Sequence, residues 1–324
     1  MDESRDLPEQ VVRSRTGFAK PEQLGGHSVA RYDDAFTLES WGTFQITVYY
    51  PALITGEPAL PERAAAPCPA IVFSPGYAAT KDMYTWFGNH LSTHGYIIVV
   101  FSAPKRMSYN PQQRVDGFLR AIDYLLEKNA AKGSPLENMI DTTHIGTAGH
   151  SLGAMSNLIV LSQDARIRAG VALSPACRFG TGIISRASNR AVFDRIRMAC
   201  DRISAPIQIQ VGSLDSLAPP ANAYLCYKYI AASSKQYVEI SRGNHFNYVD
   251  EWITTRRGAY ALRGMLGRRN GVNIQEQHLI ASRYFTAWFN YHLKGDSNYH
   301  GYLYGSEAKK DLEQGILSRL EWNG

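Results

Sequence analysis

A serine between two glycines gives the chain a candidate nucleophile. Gly149-His150-Ser151-Leu152-Gly153 is the only G-x-S-x-G match in the sequence. It lies between a predicted strand at 144–148 and a predicted helix at 151–162. On such a turn the glycines let strand and helix approach closely, and the serine hydroxyl projects above the helix N-terminus, where the dipole favours developing negative charge. The pattern therefore predicts Ser151 as the nucleophile of an acyl transfer.

A serine hydroxyl is a weak nucleophile at neutral pH, so it needs a base and a group that orients the base. In this architecture the acid follows the serine along the chain, and the histidine comes last. Asp215 follows the predicted strand at 207–211, and His245 follows the next predicted strand, at 237–240. We therefore predict that Asp215 is the acid and His245 the base.

The other histidines fit this chemistry less well. His278 and His292 fall within the predicted C-terminal helix, on or near its surface. His90 and His94 are four residues apart on a predicted helix, but they lack a third metal ligand nearby. His150 stands inside the glycine turn, where we expect a structural role. No metal ion and no organic cofactor are predicted.

Acyl transfer also needs hydrogen-bond donors directed at the developing oxyanion. One is the backbone N–H of Leu152, directly after the nucleophile. The other should come from the loop 76–79, which follows the apolar run 70–73. We predict Tyr77 N–H for this role, with its ring covering the acyl site.

Composition excludes several other classes of protein. The 324 residues are 44% hydrophobic and 19% charged, which is ordinary globular usage. A net charge of +5 without a long Lys/Arg run does not indicate a nucleic-acid surface. No apolar stretch reaches the roughly 18 residues that a membrane helix needs. The sequence therefore predicts a globular protein with neither a membrane span nor a nucleic-acid partner.

Strand and helix patterns alternate over about 250 residues, which predicts an α/β fold with a mostly parallel twisted sheet and helices on both faces. Ligands then bind beyond the carboxyl ends of the strands. Residues 1–36 are polar and are interpreted as an N-terminal arm, and 37–324 as a single domain. Insertions near 178–203 and 248–273 are predicted to form a small cap, and the arginines of the second could pair with an acidic substrate.

The chain resembles serine hydrolases of the α/β-hydrolase superfamily, and within it the group of dienelactone hydrolases, platelet-activating-factor acetylhydrolases and bacterial cutinase-like polyester hydrolases. The segments that carry the resemblance are VYYPA (48–52), PAIVFSPGYAAT (69–80), LSTHGYIIVVFSAP (91–104), IDTTHIGTAGHSLG (140–153), LDSLAP (214–219) and WFNYHLKGD (288–296). The resemblance implies an α/β-hydrolase fold, the same triad and the same two oxyanion-hole amides.

The sequence also departs from this group. The polyester hydrolases follow the serine turn with several glycines and carry a tryptophan after the next strand. Here Ala154 and Met155 follow the turn, and the stretch SPACRF (174–179) contains no tryptophan. An aromatic polyester is therefore not the expected substrate.

These observations predict a serine esterase that acts through an acyl-enzyme on a small-molecule or polymeric ester such as a lipid, a lactone or a polyester. Two alternatives stay open. One is a related hydrolase of an amide or of a β-diketone carbon–carbon bond. The other is a non-catalytic binding protein on the same scaffold. The sequence does not predict the oligomeric state.

Cysteine usage bears on the compartment. Cys177 and Cys200 flank the first insertion, and we predict a disulfide between them, which would indicate an oxidising compartment. The polar first 20 residues contain no apolar core of a signal peptide. The expectation is thus an extracellular or periplasmic protein whose leader has been removed, with a cytoplasmic protein as the alternative.

Overall fold

The computed structural model describes residues 18–177, 186–255 and 271–323, which contain one mixed sheet. Its strands are β1 (Ser28–Leu38), β2 (Gly42–Ala52), β3 (Cys68–Ser74), β4 (Ile97–Ser102), β5 (Ile140–His150), β6 (Ile167–Leu173), β7 (Ile207–Gly212), β8 (Lys235–Ile240) and β9 (Leu317–Asn323). Their order is β1-β2-β4-β3-β5-β6-β7-β8-β9. Strands β3 to β8 pair in parallel, whereas β1, β2 and β9 pair antiparallel. The predicted mostly parallel sheet is confirmed.

Helices connect the strands and follow the last parallel one. Those of the described residues are α1 (Thr85–Thr93), α2 (Gln112–Ala130), α3 (Leu152–Leu161), α4 (Arg186–Cys200), α5 (Pro220–Tyr229), α6 (Glu251–Thr255), α7 (Ile274–Leu293), α8 (His300–Tyr304) and α9 (Ser306–Glu313). None of them is long and apolar enough to cross a membrane.

The central strands are apolar on both faces because helices cover both. In β4, Ile97, Val99 and Phe101 join the core beneath α2 to α5, while Ile98 and Val100 join the core beneath α1 and α7. Side chains alternate between the faces of a strand, so a strand covered on both sides must be apolar at every position. This explains why the segment YIIVVF (96–101) is apolar throughout.

The structure corrects the predicted N-terminal arm. Residues 28–36 belong to edge strand β1, which pairs with β2 from Ser28↔Ala52 to Leu38↔Gly42. Five of the eleven residues of β1 are Ser, Arg, Asp or Thr, because an edge strand is only half covered; its buried members include Ala30 and Phe36. Residues 18–27 of the predicted arm form neither helix nor strand, and residues 1–17 lie outside the described residues.

The first predicted insertion is corrected as well. Its part from 186 to 203 forms α4 and the turn after it, and Ile196, Ala199 and Ile203 are buried against the sheet on the same face as α3 and α5. Ile196 and Ala199 have the spacing of a helical apolar stripe, and Ile203 extends the buried surface in the turn after α4. This part therefore belongs to the helix layer and not to a cap. Residues 178–185, and 256–270 with all five arginines of the second insertion, lie outside the described residues.

Two buried histidines fasten the segment 18–27 to α1. His90 Nε2–H donates to the carbonyl oxygen of Pro21 (2.9 Å), and His94 Nε2–H donates to that of Gln23 (2.8 Å). Burial lowers the pKa of His90 to about 3 and that of His94 to about 4. Both rings are therefore neutral in the folded chain, and the two histidines are structural.

Because these two histidines are buried and neutral, we expect acid to lower the free energy of unfolding. In the unfolded chain a histidine binds a proton below about pH 6.5, whereas the folded chain resists protonation until its lower pKa is reached. Each buried histidine thus contributes stability that is complete above pH 6.5 and is lost as pH falls towards 4, at about 1 kcal/mol per pH unit. We expect His94→Gln to reduce the slope of unfolding free energy against pH by about that amount, measured by urea unfolding between pH 6.5 and 4.5.

His300→Gln is the matched control, because His300 is exposed in the folded chain. It should leave the slope as it is in the unmodified protein. An unchanged slope in His94→Gln would contradict burial of His94 as a source of acid sensitivity.

Candidate active site

The nucleophile turn joins β5 to α3 through a strained residue. Ser151 has φ 56° and ψ −116°, a left-handed conformation that is unfavourable for a residue with a Cβ. Two glycines make the surrounding contacts possible. A methyl group on Gly149 would lie 2.5 Å from the carbonyl carbon of Gly153, and one on Gly153 would lie 2.0 Å from the carbonyl oxygen of Ser74. The G-x-S-x-G spacing thus reflects close backbone packing around the serine.

The three residues predicted as a triad lie in one hydrogen-bonded chain. His245 Nε2 is 2.9 Å from Ser151 Oγ, and His245 Nδ1 is 2.7 Å from Asp215 Oδ2. All three side chains are buried. The other carboxylate oxygen of Asp215 accepts the N–H groups of Leu217 (2.9 Å) and Ala218 (2.8 Å). This second set of bonds fixes the carboxylate, so that its free oxygen faces the imidazole.

Neighbouring strands bring the acid and the base together. The loop after β7 carries Asp215 and the loop after β8 carries His245, and the two loops touch where a methyl group on Gly212 would lie 2.2 Å from the carbonyl carbon of Gly243. Leu214 N–H donates to the carbonyl of Gly243 (2.9 Å). The register of two parallel strands therefore sets the distance between the carboxylate and the imidazole.

A side chain from α7 holds the histidine loop. Gln277 is fully buried; its Oε1 accepts the N–H of Asn244 and its Nε2 donates to the carbonyl of Asn244, both at 2.9 Å. Asn244 Oδ1 in turn accepts the N–H groups of Phe246 and Asn247. The backbone directly before His245 is thus bound on both sides, which fixes the imidazole.

The loop with the predicted oxyanion donor lies against the nucleophile. A methyl group on Gly76 would lie 3.0 Å from Ser151 Cβ. Within the described ranges the N–H of Tyr77, the next residue, has no acceptor. Leu152 is the first residue of α3, so its N–H has no partner inside the helix. Among the described residues, neither predicted donor has a hydrogen-bond acceptor for its N–H.

The Tyr77 side chain takes part in a contact that the sequence does not reveal. Its ring stacks on Tyr109, with centroids 4.4 Å apart and planes at 12°. Tyr109 lies in the loop after β4 and is 55% exposed. The two rings therefore form one aromatic surface on the loops after β3 and β4.

His150 lies next to His245, the predicted base. Its ring centroid is 4.6 Å from that of His245, and its Nδ1 is 2.8 Å from the hydroxyl of Tyr84. That hydroxyl also accepts the N–H of Gly76 (3.4 Å). Burial lowers the pKa of His150 well below its usual range. The ring is therefore neutral and adds no positive charge beside His245.

The remaining histidine candidates stay outside the site. His278 and His292 are half-buried on α7 rather than at its surface, and burial lowers the pKa of each to about 4. No cluster of three or more His, Cys, Asp or Glu side chains suited to a metal ion occurs in the part of the chain that the structure describes.

Comparison with known proteins gives the family. A family model described as PET hydrolase-like matches residues 42–256. The chain belongs to that family. It is 26% identical over 179 residues to cutinase est1 of Thermobifida alba (55% of this chain, 53% of that protein) and 24% identical over 179 residues to cutinase 1 of Thermobifida cellulosilytica (55% and 60%).

A bis(hydroxyethyl) terephthalate hydrolase of Streptomyces coelicolor is 23% identical over 180 residues, covering 55% of this chain and 50% of that protein. The chain thus spans about half the length of the curated relatives it matches. In this PET hydrolase-like chain the family match contains all five predicted site residues, whereas α7, which supports the histidine loop, lies beyond it.

The predicted disulfide of this PET hydrolase-like chain is not formed. Cys177 and Cys200 are free, buried thiols, and the thiol of Cys226 on α5 forms hydrogen bonds with both. The bond with Cys226 and burial raise the pKa of the Cys200 thiol. The spacing along the chain could not show that a third thiol from another helix lies between the two.

Because backbone atoms lie so close to Gly153, we expect a single added methyl group to destabilise the fold. Gly153→Ala should lower the free energy of unfolding by about 2 kcal/mol or more, because the new Cβ collides with the backbone carbonyl of Ser74 and the strand β3 must move. The measurement is the urea unfolding midpoint. In the matched control Gly26→Ala the methyl group meets no atom within 4 Å. Equal midpoints for the two variants would contradict the packing argument.

Proposed function

We propose that the chain is a serine hydrolase that cleaves carboxylic esters through an acyl-enzyme intermediate. The observation that carries this proposal is the hydrogen-bonded chain from Ser151 Oγ through His245 to Asp215, placed on a strained strand-to-helix turn. Nucleophile, base and orienting acid within hydrogen-bond reach of one another are the geometric signature of nucleophilic catalysis. Membership of the PET hydrolase-like family supports the same activity.

In the first half-reaction Ser151 Oγ attacks the ester carbonyl carbon while His245 Nε2 takes the hydroxyl proton. Asp215 holds the imidazole in the tautomer that leaves Nε2 free and stabilises the cation that forms. The carbonyl oxygen becomes an oxyanion, which accepts hydrogen bonds from the N–H groups of Tyr77 and Leu152. When the tetrahedral intermediate collapses, the ester carbon–oxygen bond breaks and His245 returns its proton to the leaving alcohol.

Water completes the cycle. His245 takes a proton from a water molecule, whose oxygen attacks the acyl carbon, and the same two amides stabilise the second oxyanion. Collapse of that intermediate breaks the bond to Ser151 Oγ, which regains a proton from His245, and the carboxylic acid leaves. His245 carries every proton transfer of both half-reactions, and the two amides stabilise both oxyanions.

The substrate is a small-molecule or polymeric ester with apolar groups next to the scissile bond. Support comes from the loops beside the site, where Met107, Tyr109 and Leu217 expose 71%, 55% and 43% of their surfaces. The names of two relatives, cutinase and bis(hydroxyethyl) terephthalate hydrolase, are those of enzymes that act on esters. The extracellular or periplasmic location stays a prediction, and the unformed disulfide gives it no support.

The intact triad argues against a non-catalytic binding protein. Asp215 is a buried carboxylate with three hydrogen bonds: two fix its position, and the third orients the imidazole of His245 towards Ser151. A protein that only binds its ligand does not need this arrangement. Amide and β-diketone hydrolysis would use the same groups, so substrate panels must separate them from ester hydrolysis.

The triad residues should behave as one unit. We expect Ser151→Ala and His245→Ala each to lower kcat for p-nitrophenyl butyrate by about 10⁴–10⁶, and Asp215→Asn by about 10⁴. The double variant Ser151→Ala/His245→Ala should be little worse than either single one, since a serine without its base is nearly inert. Initial rates, checked by circular dichroism for folding, measure this.

Ser162→Ala is the matched control, because Ser162 lies at the opposite end of α3, with its hydroxyl on the carbonyl of Ile159. It should retain wild-type kcat. A folded Ser151→Ala protein that keeps more than about a tenth of wild-type activity would refute the triad assignment. Binding of an ester without turnover by the unmodified chain would favour the binding-protein alternative.

A further inference from the structure

A guanidinium is buried beneath the loop that carries Tyr77. Arg114, in the first turn of α2, is 1% exposed, and no carboxylate pairs with it in the part of the chain that the structure describes. Burial lowers the pKa of Arg114 to about 10, which leaves it charged at neutral pH. A buried charge without a counter-charge is expensive, and an apolar side chain would fill the space at lower cost. A role beyond packing would account for the buried guanidinium of Arg114.

Backbone carbonyls take the place of water around this charge. Arg114 Nε donates to the carbonyl of Pro75 (3.4 Å), and Nη2 donates to those of Gly76 and Arg106 (both 3.2 Å). Nη1 donates to the carbonyl of Ser108 (3.3 Å). One planar side chain thus binds two loops, one after β3 and one after β4, and holds them in a fixed relation.

The bond to Gly76 acts directly on the predicted oxyanion donor. The carbonyl of Gly76 and the N–H of Tyr77 belong to the same peptide unit, which is planar and, when trans, directs the two groups in opposite directions. Anchoring the carbonyl on Arg114 therefore orients the N–H away from the guanidinium. A hydrogen bond at the carbonyl also polarises the peptide and makes its N–H a stronger donor.

The rest of the loop needs this anchor. Ala78 has φ 58°, a strained conformation for a residue with a Cβ, and its N–H donates to the carbonyl of Arg106 (3.0 Å), which also accepts from Arg114. On the other side, Gly76 N–H donates to the hydroxyl of Tyr84. The loop is thus bound before and after Tyr77, while the N–H of Tyr77 is left unpaired.

We propose that Arg114 is a positioning residue for the oxyanion hole: by binding the carbonyls of Gly76 and Arg106 it holds and polarises the N–H of Tyr77. This inference rests on the proposed esterase function and names a residue on which its transition-state stabilisation depends. Arg114 does not touch the substrate.

The test compares an ester with its thionoester. Sulfur is a weaker hydrogen-bond acceptor than oxygen, so oxyanion-hole amides contribute less to thionoester cleavage. The ratio of kcat/KM for the p-nitrophenyl ester to that for the matched thionoester therefore reports on the oxyanion hole. Because both substrates meet the same enzyme preparation, the ratio does not depend on the fraction that is folded.

We expect Arg114→Met to lower kcat/KM for the ester about 100-fold and to lower the ester-to-thionoester ratio about tenfold. Arg114→Lys keeps the charge but cannot span four carbonyls, so its ratio should fall between those of wild type and Arg114→Met. The matched control is Arg120→Met on the same helix, where Arg120 pairs with Glu127 at the surface. It should keep the wild-type ratio.

An unchanged ratio in a folded Arg114→Met or Arg114→Lys variant would overturn the inference and leave the esterase proposal intact. If Arg114→Met does not fold, Arg114→Lys decides by itself. A wild-type chain that hydrolyses neither substrate, or whose hydrolysis survives Ser151→Ala, would instead overturn the proposed function.

Discussion

The left-handed backbone of Ser151 is the constraint around which the site is built. A residue with a Cβ holds such a conformation only when its surroundings over-determine it. Here the N–H of Ser151 donates to the carbonyl of Leu173 (2.9 Å), and its carbonyl accepts the N–H groups of Met155 and Ala176. Strand β6 and helix α3 thus clamp the residue from two sides. The absent side chains of the flanking glycines are what let these elements come so close.

Two further close approaches complete the site, and both need glycine for the same reason. Gly76 brings the loop after β3 against Ser151 Cβ, and Gly212 lets the acid loop touch the base loop at Gly243. Each contact joins loops from the carboxyl end of the sheet. The geometry of the predicted triad therefore depends on strand register and on these backbone contacts.

Buried polar groups tie this end of the sheet to the helix layer. Beyond His245, the carboxylate of Asp250 accepts the N–H and hydroxyl of Thr85 and the N–H of Trp86, at the start of α1. Such bonds satisfy the free amides of a helix N-terminus and fix its position. Together with Gln277 of α7, they hold the histidine loop between two helices on one face of the sheet. Arg114 does the corresponding work for the oxyanion loop from the other face.

The sequence by itself predicted the fold class, and it predicted the three residues that the structure joins in one hydrogen-bonded chain. Apolar runs in alternation with helical stripes indicate a parallel sheet, and Ser151, Asp215 and His245 each follow such a run at the edge where strand ends meet. Their proposed roles follow from local patterns, because a G-x-S-x-G turn and a residue just after a strand are recognisable without knowing the neighbours in space. The pattern did not predict the edge strands, because β1 and β9 mix polar and apolar residues without regular alternation.

Only the tertiary structure decided which distant groups support the site. Tyr84, Tyr109 and Cys226 come from separate elements, and nothing in their local sequence marks a partner. Arg114 did carry a signal, a charge at a core-facing position of the apolar stripe of α2 that also contains Phe118. That signal shows burial but not the partner, because the carbonyls that bind the guanidinium belong to loops whose positions depend on strand pairing. Side-chain type and spacing determine which interactions a residue is capable of, whereas the packing of distant elements determines which partners it meets.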